Sequence, residues 1–180
     1  PQVNDWEDVP LVEIFEKRFN IKTYIMHDPD CIMVAEKILE YKSHPDARNI
    51  ALLRLDKGIG LSLSIDNVIN TENYLCEIGH VCVNSDGPRC VCGNRGCLEV
   101  YASVDGILKR YYELSGSAFD PNLDFKALAL MAMEGNEVCR GLFDDMSKYL
   151  GIALSTLANI LPIDTVILYG AMVQVEELFD

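Results

Sequence analysis

One stretch, Glu77 to Glu99 (EIGHVCVNSDGPRCVCGNRGCLE), restricts what this chain can fold into more than any other. It sets one histidine and three cysteines at the spacing H-x9-C-x-C-x4-C. His80, Cys90, Cys92 and Cys97 are suitable ligands for a closed tetrahedral zinc site. A C-x-C pair aims both thiols at one ion only from a bent backbone, and Gly87, Gly93 and Gly96 allow such bends. The competing reading is a set of buried or disulfide-bonded cysteines beside an unrelated histidine. Four protein ligands would leave the ion no open position, so a metal here is expected to be structural rather than hydrolytic.

The rest of the composition sets the class. Seven cysteines is an odd number, and clustered cysteines in a reducing compartment more often bind metal than pair as disulfides. Cys31, Cys76, Cys82 and Cys139 are expected to be small buried hydrophobes. No apolar run approaches the ~20 residues of a membrane span. The N-terminus, PQVNDWEDVP, is acidic and lacks the apolar core of a signal peptide. A soluble, cytoplasmic protein with no membrane partner is the expectation. Net charge is −13 with only 15 scattered Lys and Arg, which makes these residues a poor nucleic-acid binder by themselves.

Periodicity predicts an α/β chain. LVEIFEKRF reads as a helix with Leu11, Ile14, Phe15 and Phe19 on one face, and Pro10 suits its first turn. Ile21 to Met26 is predicted as a short strand. Asp28 opens a helix to about Tyr41, followed by a loop, SHPDAR. Asn49 to Leu55 and Ile59 to Ile65 are predicted strands joined by Asp56-Lys57-Gly58, and Asp66-Asn67 is a further turn. From Leu98 the pattern is helical through Tyr111, again over Phe125 to Met133, and then from Val138 to Ile160, where Pro162 stops it. Thr165 to Tyr169 returns as a strand, and VQVEELFD begins another helix. Strands, then helices, then one late strand imply a mixed sheet covered by helices. Both ends are expected to be cut inside a larger design.

Three further clusters carry possible chemistry. Glu77 and Glu99 flank the metal ligands, so metal binding would draw both to one wall, where carboxylates accept hydrogen bonds from vicinal hydroxyls. Each is equally an ordinary loop acid or first-turn helix acid. His27-Asp28-Pro29-Asp30 lies at a strand end before a helix, where ligands of open α/β sheets bind. A carboxylate there is suited to act as general base, or simply to cap the helix. Asp56-Lys57-Gly58-Ile59-Gly60 is either a phosphate cradle of backbone N–H groups or a plain hairpin turn.

Taken together, EIGH, then G-x-x-C-x-C-G-x-x-G-C-L-E, the Asp28 segment, the GIG hairpin and GIALSTLANILP followed by VILYG resemble the ROK family of sugar kinases and sugar-responsive repressors. The resemblance covers nearly the whole chain. It implies the C-terminal lobe of an actin-like ATPase (ribonuclease H-like) fold, with structural zinc on His80, Cys90, Cys92 and Cys97. It also implies sugar contacts through Glu77, His80 and Glu99, and Asp28 at the position of the catalytic base. The chain departs from the family pattern in places. His27-Asp28 replaces Asn-Asp. The Gly-Thr-Gly phosphate loop is Asp56-Lys57-Gly58, leaving Lys57, Gly58 and Gly60 as a degraded remnant. Gly170-Ala171 replaces a glycine pair, and Leu75-Cys76 replaces Ala-Gly. The sugar and zinc side is kept while the nucleotide side is eroded.

That asymmetry favours the sugar- or sugar-phosphate-binding lobe of a transcriptional regulator, whose DNA contact would come through a domain before residue 1 and which would commonly dimerise. The alternative is part of an ATP-dependent hexose kinase, with Asp28 deprotonating the sugar hydroxyl and Mg-ATP as cosubstrate. A third reading is a zinc-stabilised interaction module without a small ligand.

Overall fold

The computed structural model describes residues 8–39, 46–69 and 76–173. In chain order these form α1 (Leu11–Phe19), α2 (Asp28–Leu39), β1 (Ile50–Leu55), β2 (Ile59–Ile65) and β3 (Val68–Ile69). A 3₁₀ turn (Ile78–His80) follows, then α3 (Leu98–Ala102), α4 (Val104–Ser115), α5 (Phe125–Met133), α6 (Glu137–Ile160) and β4 (Thr165–Tyr169). The sheet order is β3-β2-β1-β4, antiparallel except for the parallel β1/β4 pair. This is the mixed sheet that the strand-helix-strand order predicts.

Alternation along β1 decides which helix covers which face. Ala51, Leu53 and Leu55 join the larger core with Leu98, Ile107, Leu128 and Leu142 from the α3–α6 layer. Ile50 and Leu52 turn the other way and pack with Met33 of α2. Side chains of a strand alternate between its faces, so Arg54 shares the α2 face with Ile50 and Leu52. Opposite Arg54 stands Gly60 of β2. A Cβ on Gly60 would lie 2.7 Å from Cγ of Pro29, so the glycine lets the start of α2 press onto the sheet.

The helical layer is divided by its caps. The predicted run from Leu98 to Tyr111 is interrupted at Ser103, whose extended backbone and hydroxyl cap α4 by accepting from Gly106 N–H at 2.9 Å. Asp124 and Asn136 cap α5 and α6 in the same way. Asp164 ties the return strand to the start of β1, accepting from the N–H groups of Arg48 (3.1 Å) and Asn49 (2.9 Å).

Two expectations fail. Ile21–Met26 is irregular, although its residues are β-formers. A strand needs a neighbour for its N–H and C=O groups, and none of the described strands runs beside this segment. Ile21, Tyr24, Ile25 and Met26 are therefore exposed. The expectation for the cysteines outside the knuckle also needs correction: Cys139 is fully buried and Cys76 half-buried, but Cys31 and Cys82 are exposed. The predicted end of α2 near Tyr41, the first part of SHPDAR and the helix in VQVEELFD lie outside the described residues. No helix among the described residues is long and apolar enough to cross a membrane.

Candidate metal centre and the wall beside it

The knuckle has little regular structure and is shaped by short-range hydrogen bonds. Cys90 N–H donates to Asn94 O at 2.8 Å, and Gly93 N–H donates back to Cys90 O at 3.1 Å. This closes the C-x-C turn, with Gly93 at φ +92°. Gly96, at φ +61°, passes so close to Asn84 that its O accepts from both Val83 N–H and Asn84 N–H. Asn84 anchors the loop to the helical layer: its Nδ2 donates to the hydroxyls of Tyr101 and Tyr149, both at 3.0 Å. The sequence reading missed Asn84.

These turns bring the four predicted ligands together. One ligand atom from each of His80, Cys90, Cys92 and Cys97 lies within 4.8 Å of all the others. A tetrahedral ion with bonds of about 2.3 Å to sulfur and 2.0–2.1 Å to nitrogen requires S···S near 3.8 Å and S···N near 3.6 Å. Cys92 Sγ and Cys97 Sγ are 3.7 Å apart, and Cys90 Sγ is 3.5 Å from His80 Nδ1. The donor set and its spacing fit a metal ion. Burial and the sulfurs of Cys90 and Cys92 push the Cys97 thiol up to about 12, while the backbone N–H of Asn94 lowers Cys92. A buried thiolate at Cys97 therefore needs a cation beside it, and metal binding there releases a proton.

His80 offers Nδ1 to the cluster, which leaves Nε2 available on the other side of the ring. Glu99 is the first-turn acid of α3. Glu99 Oε2 accepts from Ile59 N–H at 3.4 Å. It is 3.1 Å from where a Cβ on Gly58 would sit and 3.3 Å from the equivalent point on Gly79. The hairpin glycine, the EIGH turn and Glu99 thus converge on one wall. Glu77 begins the EIGH turn and is exposed. Between Glu77 and the α2 segment lies Cys76, whose thiol is pushed up by burial and then by the negative charges of Asp30 and Glu77.

At the other edge, the His27–Asp30 segment forms its own ionic cluster. His27 lies 3.9 Å from Asp28 Oδ1 and 3.7 Å from Asp30 Oδ2. The other oxygen of Asp28 accepts from Arg54 Nη1, and Arg54 Nη2 reaches Asp56 Oδ2 at 3.5 Å. Arg54 links Asp28 to the Asp56-Lys57-Gly58 turn. It was not singled out in the sequence, although one signal was there: a lone charge in the strand IALLRL, on the α2 face. The Asp56-Lys57-Gly58 turn is a hairpin closed by Asp56 N–H to Gly58 O at 3.1 Å, and Asp56 O accepts from Val104 N–H at the start of α4. Lys57 lines a cleft of about 240 Å³ with Cys90, Glu99, Ser103 and Arg110.

An α/β lobe with a mixed sheet, a Cys/His cluster able to hold a metal and Glu99 near the hairpin and EIGH turns defines a class within the actin-like ATPase fold. The family model "ROK family" matches residues 1–180, and the chain belongs to the ROK family. It is 26% identical over 173 residues to a xylose repressor of Bacillus subtilis, covering 95% of this chain and 43% of the repressor. It is 30% identical over 192 residues to a glucokinase of Thermotoga maritima, covering 99% of this chain and 59% of the kinase. A solved ROK transcriptional regulator, a homologue of Escherichia coli Mlc, superposes with TM-score 0.76 at 21% identity, over 93% of this chain and 44% of that one. The chain thus spans less than half of the repressor and of the solved regulator.

Proposed function

We propose that this chain is the effector-binding lobe of a ROK-type transcriptional regulator. Its ligand is a sugar or sugar phosphate, held by His27, Asp28, Glu77, His80 and Glu99. Structural zinc on His80, Cys90, Cys92 and Cys97 clamps that wall in place. In the whole regulator a DNA-binding domain precedes this lobe, two copies associate, and ligand binding shifts the balance between arrangements that bind DNA and those that do not.

The observation that carries this reading is the Asp28–Arg54–Asp56 link. A general base must be free to take a proton from the sugar hydroxyl. Here one oxygen of Asp28 already accepts a charge-assisted hydrogen bond from a guanidinium. The phosphate turn carries Asp56 in place of an uncharged residue, which repels a triphosphate. Binding chemistry survives these changes better than phosphoryl transfer does. The repressor relatives agree with this reading; the Thermotoga maritima glucokinase, together with Asp28 at the start of α2, is what favours the kinase alternative with Mg-ATP.

Two experiments on the whole protein test the proposal. A coupled phosphoryl-transfer assay with Mg-ATP and glucose, xylose or N-acetylglucosamine is expected to show no turnover above background; steady turnover on any of them replaces the regulator with the kinase. Calorimetric titration with the same sugars and their 6- or 5-phosphates is expected to give saturable binding for at least one. Glu99→Gln should weaken that binding about tenfold to a hundredfold, since hydrogen bonds to charged groups contribute ~1.5–3 kcal/mol. Unchanged affinity in the variant removes Glu99 from the site, and no binding across the panel leaves the interaction-module reading in place of both others.

A further inference from the structure

The bridge that closes the knuckle joins two cysteines, and only one of them belongs to the metal cluster. Cys82 lies directly opposite Cys97 in an isolated antiparallel bridge. The flanking bonds run from Val83 N–H to Gly96 O at 2.8 Å and from Leu98 N–H to Val81 O at 2.9 Å. Cys82 and Cys97 are therefore a non-hydrogen-bonded pair, the type in which Cα atoms approach to about 4.5 Å and both side chains leave the ladder on the same side. A disulfide requires a Cα separation of about 4.4–6.8 Å. These two residues can be cross-linked without moving the backbone that carries them.

Their surroundings differ in a way that orders the chemistry. Cys97 is fully buried and sits 3.7 Å from Cys92. Cys82 is exposed and opens into a cleft of about 390 Å³ with Ser85, Arg89, Asn94 and Arg95. A small oxidant reaches Cys82 from solvent, whereas Cys97 is reached only through its neighbours.

We propose that Cys82 and Cys97 form an oxidation-sensitive pair that takes a hydroperoxide as its substrate and removes a ligand from the metal when it closes. Cys82 sulfur attacks hydrogen peroxide: the O–O bond breaks, one oxygen stays as the sulfenic acid, and the other leaves as water. Cys97 sulfur then attacks Cys82 sulfur. The S–S bond forms as the S–O bond breaks, and the departing hydroxide takes a proton from the Cys97 thiol, or from solvent where Cys97 was metal-bound. Two thiols lose two electrons and the peroxide becomes two molecules of water. His80, Cys90 and Cys92 are left as an incomplete ligand set, so the wall that carries His80 and Glu99 loosens. The metal-release step rests on the zinc reading above, whereas the cross-link does not.

The test uses zinc-loaded protein treated with equimolar hydrogen peroxide, read by disulfide mapping in a mass spectrometer and by zinc release to a chromogenic chelator. A Cys82–Cys97 cross-link is expected, with zinc release slowed about tenfold in Cys82→Ser. The variant changes an exposed side chain, and an unaltered circular dichroism spectrum will confirm that it folds. A cross-link confined to Cys90, Cys92 and Cys97, or equal release rates in wild type and Cys82→Ser, overturns the proposal. If the protein takes up no zinc, the zinc reading fails by itself, and the cross-link map still decides whether Cys82 and Cys97 react.

Discussion

Cys92→Ser is expected to lower the thermal unfolding midpoint by about 10 °C, and Cys139→Ser by about half as much. Burial alone predicts the reverse order, because Cys92 is exposed while Cys139 is fully buried among core residues. Serine at position 139 places a hydroxyl in an apolar site, which costs about 1–3 kcal/mol if unpaired. Serine at position 92 removes one of four ligands from an ion whose binding is coupled to folding and is worth on the order of 10–16 kcal/mol in small zinc domains. A quarter of that, at roughly 2–4 °C per kcal/mol for a chain of this size, gives the stated shift. Scanning calorimetry with and without a strong chelator checks the cause: chelator should lower the wild-type midpoint by more than Cys92→Ser does, and should lower the variant by less than the wild type. A wild-type midpoint indifferent to chelator, with no metal found by elemental analysis, would end the zinc proposal.

The second large effect is expected at Gly96. An alanine Cβ there would lie 1.5 Å from Asn84 O, on a backbone at φ +61°. The left-handed conformation alone costs about 1–2 kcal/mol for a side chain. Asn84 O cannot retreat freely, because the same residue is bound through its N–H to Gly96 O and through its side chain to Tyr101 and Tyr149. Gly96→Ala should therefore cost at least about 3 kcal/mol and reduce zinc content in parallel, since displacing Asn84 opens the bridge that positions Cys97. Gly93→Ala is the control. It also has positive φ, at +92°, but nothing lies within 4 Å of its Cβ position, so only the backbone term remains. Equal urea midpoints for the two variants would show that the close approach at Gly96 does not constrain the loop.

The residues that could be read in the sequence are those whose role depends on local spacing. The clustering of His80, Cys90, Cys92 and Cys97 was legible because three of them fall within one short loop and the histidine ends the turn just before it. The boundaries of α5 and β4 were legible because apolar periodicity and caps are local signals. Ile21–Met26 misled because strand formation is settled by a partner, which propensity does not report. The helix break at Ser103 was hidden by an apolar pattern that continues across it; the cap became evident only with the extended backbone of Ser103. Arg54 was missed because its role needs two distant facts, the parity that turns it towards α2 and the Gly60 opposite it that lets Pro29 approach. Cys82 was read as buried because its exposure follows from the course of the knuckle loop, which no periodic pattern describes.

The parallel pairing of β1 with β4 has a consequence for how the molecule is made. Ile50 pairs with Thr165, so more than half the chain lies between partners that share a ladder. Closing so long a loop carries an entropic penalty that is recovered only after the intervening helices have packed. During synthesis the hairpin of β1 and β2 emerges before the helices of the α3–α6 layer, with one side of β1 open until β4 follows more than a hundred residues later. For that interval β1 presents an unpaired edge of backbone N–H and C=O groups, and β4 is the strand that closes it.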